Sequence, residues 1–515
     1  MLHSPFETRS SGILLHPSSL PGPHGAGDLG PFAHRFVDFL ARAGQRWWQM
    51  LPVGPLGAGN SPYDSASSFA GNPLLVSLEL LVRDGLLEAS EIGAPRALVE
   101  AKRALFPASS RFRERRLRRA FERFGARAKG DLQAELESFR ERNRRWLPGF
   151  TLFRALKRAN GNRPWTTWEP DLALRRGRAV ERARRELERE VSYEEFLQFA
   201  FDRQWTELRQ HCAEKGVLLL GDVPMYVAHD GADVWENREV FQLDECGERR
   251  VLAGVPPDYF SADGQLWGNP VYDWQALAKT DYEWWIARLE NTLHRFDAVR
   301  LDHFIGFHRC WEVPAGATSA REGQFTIVPG RDFFEKARAR LGGLPFVAED
   351  LGLVTDEVHA LRDEFELPGM RVLEFAFAGD FRDYQPHRFP RNCVVYTGTH
   401  DNDTVVGWLG AFERARDPEE RHRLLSERRR ALAYAACSGD EPHWDFVRLA
   451  LASVANTALF PLQDLLGLGS EGRMNVPGTA EGNWAYRCRE HDLSDALAER
   501  LFRLTDTYER LPRRF

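Results

Sequence analysis

The sequence is poor in the features that mark exported, metal-clustered or membrane-bound chains. Its six cysteines, Cys212, Cys246, Cys310, Cys393, Cys437 and Cys488, are scattered over 515 residues without a CxxC pair. That spacing excludes a disulfide framework and a zinc-knuckle site, and it points to free thiols in a reducing compartment, the cytoplasm. No run of about 20 apolar residues occurs, and the first residues show no basic stretch leading into an unbroken apolar one. The sequence therefore predicts neither a membrane span nor a secretory leader. Neither sign of charge predominates, with 69 Lys and Arg against 75 Asp and Glu. A net charge of -6 is small for this length and gives no reason to expect nucleic acid or an acidic membrane surface as partner.

What is present is apolar and aromatic. Hydrophobic residues make up 43% of the chain, with 34 Phe and 15 Trp, enough for one large core or several smaller ones. Length alone suggests roughly three domains, but an α/β barrel takes about 250 residues as one unit and accepts insertions. Short apolar runs at 11–16, 46–51, 217–222, 296–302, 344–349, 370–375, 393–399 and 458–463 read as eight strands separated by helical stretches. This is the pattern of a (β/α)8 TIM barrel of the α/β class with helical and loop insertions. Residues 1–82 read as its first part and 83–191 as an Arg/Glu-rich helical insertion. Residues 192–515 read as the remainder, with a long aromatic loop region near 223–295. In the insertion both signs of charge recur at helical spacing, as on a solvated face. The segment Gly25–Gly30, GAGDLG, is formally GxGxxG. Its loop is too long for a nucleotide turn, and the next strand ends at Pro52 with no acid for a ribose.

The stretch FDAVRLDHF, 296–304, carries the chemistry. Strand alternation puts Ala298, Arg300 and Asp302 on one face and Val299 and Leu301 on the other. Arg300 can pair with the Asp302 carboxylate and orient it, which suits a nucleophile better than an acid. Other strand ends bring Asp222, Glu349 and Asp401, and catalytic groups of barrel enzymes sit at those ends. Asp302 and Glu349 fall on consecutive strands. Close carboxylates serve as a metal site, as a proton-sharing pair, or as nucleophile and acid/base in glycosyl transfer. The first is weakest here, because the strand ends offer Arg300 beside one acid and loops rich in Tyr, Phe and Trp, which suit stacking on sugars. Two such loops stand out: residues 54–72, with Tyr63, and residues 256–274.

The segments RLDHF, VAEDLG and TGTHDND resemble the three acid-bearing motifs of the α-amylase superfamily. GDVPMYVAHDGADVW and LLHPSSLPGPHGAGDLG narrow the resemblance to the 4-α-glucanotransferases, or amylomaltases, of glycoside hydrolase family 77. The likeness runs from about Ser11 to Trp484, apart from the insertion. It implies transfer of an α-1,4-glucan segment to the 4-hydroxyl of another glucan or glucose by a retaining double displacement. By this resemblance Asp302 is the nucleophile, Glu349 the general acid/base and Asp401 the third carboxylate, which grips the sugar and stabilises the transition state. Arg300, His400, Tyr63 and Asp222 match contacts to the transferred sugar, and Gln265 and Trp267 the loop over the acceptor side. Ser61, Phe375 and Asn475 complete the expected substrate contacts. The expected partners are α-1,4-glucans and maltooligosaccharides, with no cofactor and no metal. An α-glucan hydrolase with the same acids and a non-catalytic glucan-binding barrel are the alternative readings.

Overall fold

The computed structural model describes residues 4–127, 131–257, 263–352, 354–378 and 382–512. Among these, twelve strands form two sheets. In chain order they are β1 (Ser10–Leu14), β2 (Trp47–Gln49), β3 (Leu218–Val223), β4 (Val251–Val255), β5 (Gln265–Pro270), β6 (Ala298–Leu301), β7 (Arg309–Pro314), β8 (Gln324–Ile327), β9 (Phe346–Ala348), β10 (Gly369–Val372), β11 (Cys393–Tyr396) and β12 (Thr457–Pro461). The sequence β1-β12-β11-β10-β9-β6-β3-β2 closes into a barrel whose pairs are all parallel. The eight strands expected from apolar runs are these eight.

Strand alternation explains why short apolar runs suffice. Leu220, Ala298, Val347, Met370, Val372, Val394, Tyr396 and Leu459 point inward and form one buried cluster, closed at the N-terminal end by Phe6 stacked on Trp47 at 4.9 Å. Val299, Leu301, Phe346 and Ala348 point outward into the larger core beneath the helices. Both faces are therefore dry, as a parallel barrel requires.

In two of the predicted strand segments the chain turns helical before the segment ends. At 370–375 the ladder stops with Val372 paired to Tyr396, and Leu373–Phe377 turns as a 3-10 helix, so Glu374 and Phe375 leave the strand. At 458–463 the strand ends at Pro461, which has no N–H to extend the ladder, and Leu462–Leu465 is helical.

The aromatic connection after β3 is more ordered than a loop. Strands β4 and β5 pair antiparallel within it and join β7 and β8 in the order β5-β4-β7-β8. This small sheet carries Gln265 and Trp267 to the mouth of the barrel. Residues 258–262 of that connection, with Tyr259 and Phe260, lie outside the described residues.

Between β2 and β3 the chain is helical, with long helices at Phe106–Arg127, Leu147–Ala159 and Glu188–Lys215. Many of its arginines meet carboxylates within the protein: Arg118 binds Glu190 at 2.6 Å, Arg140 binds Glu195 at 2.6 Å and Arg158 binds Glu194 at 2.8 Å. No helix among the described residues is long and apolar enough to cross a membrane.

Candidate active site

Arg300 is the hub of the barrel mouth. It projects inward from β6, and its buried guanidinium bonds two carboxylates, Asp302 through Nη2 at 2.8 Å and Asp222 through Nη1 at 2.8 and 3.0 Å. Asp222 comes from the neighbouring β3, in register with Arg300, and also accepts the Tyr63 hydroxyl at 2.8 Å. The Tyr63–Asp222–Arg300–Asp302 chain thus ties a loop residue to the strand-end acid. Its inner members are buried, whereas the Asp302 side chain keeps 28% of its surface exposed.

Glu349 follows β9, which pairs directly with β6. Both of its carboxylate oxygens are fixed by the backbone: the His303 N–H donates to Oε2 at 2.7 Å and the Leu351 N–H to Oε1 at 3.1 Å. His303 reaches this position with a φ of 51°, in the left-handed region that a β-carbon disfavours. Burial pushes the Glu349 carboxyl up to about 8; Arg300 and the two N–H groups oppose the shift and the Asp302 charge adds to it. A carboxyl so placed keeps its proton at neutral pH, as a general acid must.

Asp401 follows β11. Asn475 donates to its Oδ1 at 2.6 Å, and His400 Nε2 stands 3.4 Å from its Oδ2. Arg473 holds its backbone carbonyl at 2.6 Å. The next acid in the same motif, Asp403, turns away to Ser470 and Arg414.

A cavity of about 440 Å³ opens over Asp302 and Asp401, and Ser61, Tyr63, Trp267, His400 and Asn475 line it. Two aromatic groups border it. Tyr63, His400 and Trp484 lie 5.1–6.0 Å apart by ring centres. Trp267 meets His303 edge-on at 4.8 Å and Tyr226 at 6.0 Å. Rings beside exposed carboxylates can stack on pyranose faces while the acids take the hydroxyls. Asp222 and Arg300 hold Asp302 from the barrel interior. Gln265 supports Trp267, accepting its indole N–H at 3.1 Å. Phe375 stands apart, packed on the inward barrel residues and edge-on to Tyr384 at 5.7 Å.

Sequence reasoning gave no role to Tyr226, His303 or Trp484, which all line the cavity. Tyr226 and His303 lie inside motifs already singled out. Trp484 carries no local signal, because it enters the mouth only through long-range packing.

Comparison with known proteins gives a consistent result. A family model for glycoside hydrolase family 77, described as 4-alpha-glucanotransferase, matches residues 15–493. A 4-alpha-glucanotransferase of Synechocystis sp. is 46% identical over 510 residues, covering 98% of this chain and 99% of that protein. That of Thermus thermophilus is 43% identical over 512 residues, with 98% and 99% covered. The solved amylomaltase of Streptococcus agalactiae, in complex with acarbose, superposes with a TM-score of 0.91 at 33% identity, over 98% of this chain and 100% of that one.

Proposed function

The chain belongs to the 4-α-glucanotransferases of glycoside hydrolase family 77, and from that premise we propose that it transfers α-1,4-glucan segments by a retaining double displacement at Asp302 and Glu349. The observation that carries the mechanism is the pairing of roles on adjacent strands. Asp302 is held by Arg300 with part of its surface open to the cavity, while Glu349, held by the His303 and Leu351 N–H groups on the adjacent strand end, has its pKa pushed up by burial.

In the first step Glu349 gives its proton to the glycosidic oxygen as an Asp302 oxygen attacks C1, and the reducing-end fragment leaves. In the second, the 4-hydroxyl of an acceptor sugar attacks C1, Glu349 takes back a proton and Asp302 is released. Two inversions give net retention, for which the carboxyl groups of such enzymes stand about 5 Å apart. Asp401, held by Asn475 and beside His400, grips the sugar as charge develops at C1.

Tyr63, His400, Arg300 and Asp222 serve the donor side, directly or through Asp302. Trp267, braced by Gln265, covers the acceptor side, and Ser61 and Asn475, which line the same cavity, complete the contacts. The substrates are α-1,4-glucans and maltooligosaccharides, a reading supported by the acarbose complex of the Streptococcus agalactiae relative. We assign residues 1–82 and 192–515 to the catalytic barrel and 83–191 to a helical subdomain. The six cysteines, all unpaired, support a cytoplasmic site of action.

Incubation with maltotriose tests the transfer reading. Glucose plus a ladder of longer maltooligosaccharides is expected; shorter products alone would assign hydrolysis instead.

A further inference from the structure

Away from the barrel mouth, three side chains converge where the loop after β1 meets the first helices of the insertion. They are His24, Asp28 and Glu79, and one ligand-type atom from each lies within 4.8 Å of the other two. The neighbours of His24 define its protonation. Its Nε2 bonds the Ile92 carbonyl at 3.1 Å, which makes Nε2 the N–H donor and leaves the lone pair on Nδ1. Nδ1 is buried, has no hydrogen-bond partner and faces Glu79 Oε1 at 3.7 Å.

Two lone-pair-bearing atoms therefore point at each other across a gap too long for a hydrogen bond. A cation closes such a gap. Two bonds of about 2.1 Å at a tetrahedral angle span roughly 3.4 Å, close to the separation seen. The surroundings resemble the outer shell of a metal centre: the ring is fixed by a carbonyl on its far nitrogen and stacks on Phe112 at 5.4 Å. Asp28 is held by the Gly30 N–H at 2.9 Å and by Arg113 at 2.7 Å, and Glu79 by the Ser77 hydroxyl at 2.9 Å. Each carboxylate keeps a free lone pair. Arg113 offsets one of the two negative charges, which disfavours hard ions that need dense negative charge, and the imidazole nitrogen favours a borderline transition ion.

We propose that His24 Nδ1, Asp28 and Glu79 form a structural site for one divalent transition-metal ion of the zinc type, stapling the β1 loop to the helix Leu78–Arg83 that leads into the insertion. No sequence spacing announces it, because Glu79 arrives from a separate helix, Leu78–Arg83.

The test uses the full-length enzyme, freed of metal with a chelator and titrated with zinc chloride by calorimetry and in thermal unfolding. One saturable site is expected, with an upward shift in Tm of about 2–4 °C near saturation. His24→Ala and Glu79→Gln should each weaken zinc binding tenfold or more and remove the shift. His211→Ala should leave both intact; it alters a separate imidazole and carboxylate group, where His211 meets Asp38 at 3.1 Å and the His34 ring at 5.0 Å. Should His24→Ala fail to fold, Glu79→Gln decides alone. The proposal is overturned by the absence of saturable zinc binding, by binding that survives Glu79→Gln, or by binding lost in His211→Ala.

Discussion

Arg300 on β6 and Asp302 just past its end face the same way and meet at 2.8 Å through Nη2, while Nη1 is committed to Asp222. One planar cation thus fixes the nucleophile to the barrel interior. A lysine keeps the charge but offers a single point contact and cannot hold both carboxylates. Arg300→Lys should therefore lower turnover with maltotriose by about 10²-fold, through misplacement of Asp302, with only a small change in Michaelis constant. Steady-state glucose release measures both quantities, and near-normal turnover would remove Arg300 from the positioning role.

Asp302→Asn and Glu349→Gln should each lower transfer from maltotriose on the order of 10⁴-fold with the fold intact, because each removes a group acting in the covalent steps. A donor with a good leaving group separates them. An α-glycosyl fluoride needs little acid help, so Glu349→Gln should still release fluoride and Asp302→Asn should not. Fluoride release by both or by neither would reverse or dissolve the assignment.

The raised pKa of Glu349 sets a pH dependence. The proton required for acid catalysis is present below about pH 8 and lost above it, so kcat/KM for maltotriose should fall tenfold per pH unit on the alkaline side, with a midpoint near 8. The same limb should be absent with the fluoride donor. A midpoint near 4.5 would mean that Glu349 is ionised at neutral pH.

Asp401 is tied to Asn475 and His400 at the cavity edge. If it grips the sugar most tightly in the oxocarbenium-like transition state, Asp401→Asn should lower kcat far more than it raises the Michaelis constant. A large rise in Michaelis constant at unchanged turnover would mark a plain binding residue.

Much of this site was legible in the sequence because it rests on strand alternation. The inward positions of Arg300 and Glu349 follow from counting by two along β6 and β9, since both strands are dry on their outer face. Where a local pattern does not fix the backbone, reading failed. The segment MRVLEF at 370–375 reads as one strand, yet β10 stops at Val372 and Phe375 falls in a 3-10 turn. The sheet of β4, β5, β7 and β8 was hidden because β5 and β8 are largely exposed, β5 has no apolar alternation and that of β8 spans only four residues. The backbone N–H of His303 is beyond sequence reading altogether; its role depends on a φ of 51°.

Trp267 tests transfer against hydrolysis. The residue is 39% exposed, borders the cavity and meets the His303 ring edge-on at 4.8 Å. Trp267→Ala should loosen the incoming sugar, admit water to the glycosyl enzyme and raise the ratio of hydrolysis to transfer several-fold. Reducing-end release and glucose transfer, measured in parallel on folded protein, give the ratio. An unchanged ratio would confine Trp267 to packing the small sheet.

The central claim is a covalent glycosyl–Asp302 intermediate, and trapping it is the most direct test. Glu349→Gln treated with an α-maltosyl fluoride, without acceptor, should accumulate the glycosyl enzyme, because the base for the second step is missing. Acid quenching, proteolysis and peptide mass spectrometry should then find the maltosyl mass on the peptide carrying Asp302, and not when Asp302→Asn is added. A label on the Asp401 peptide, or fluoride release with no labelled peptide, would contradict the account.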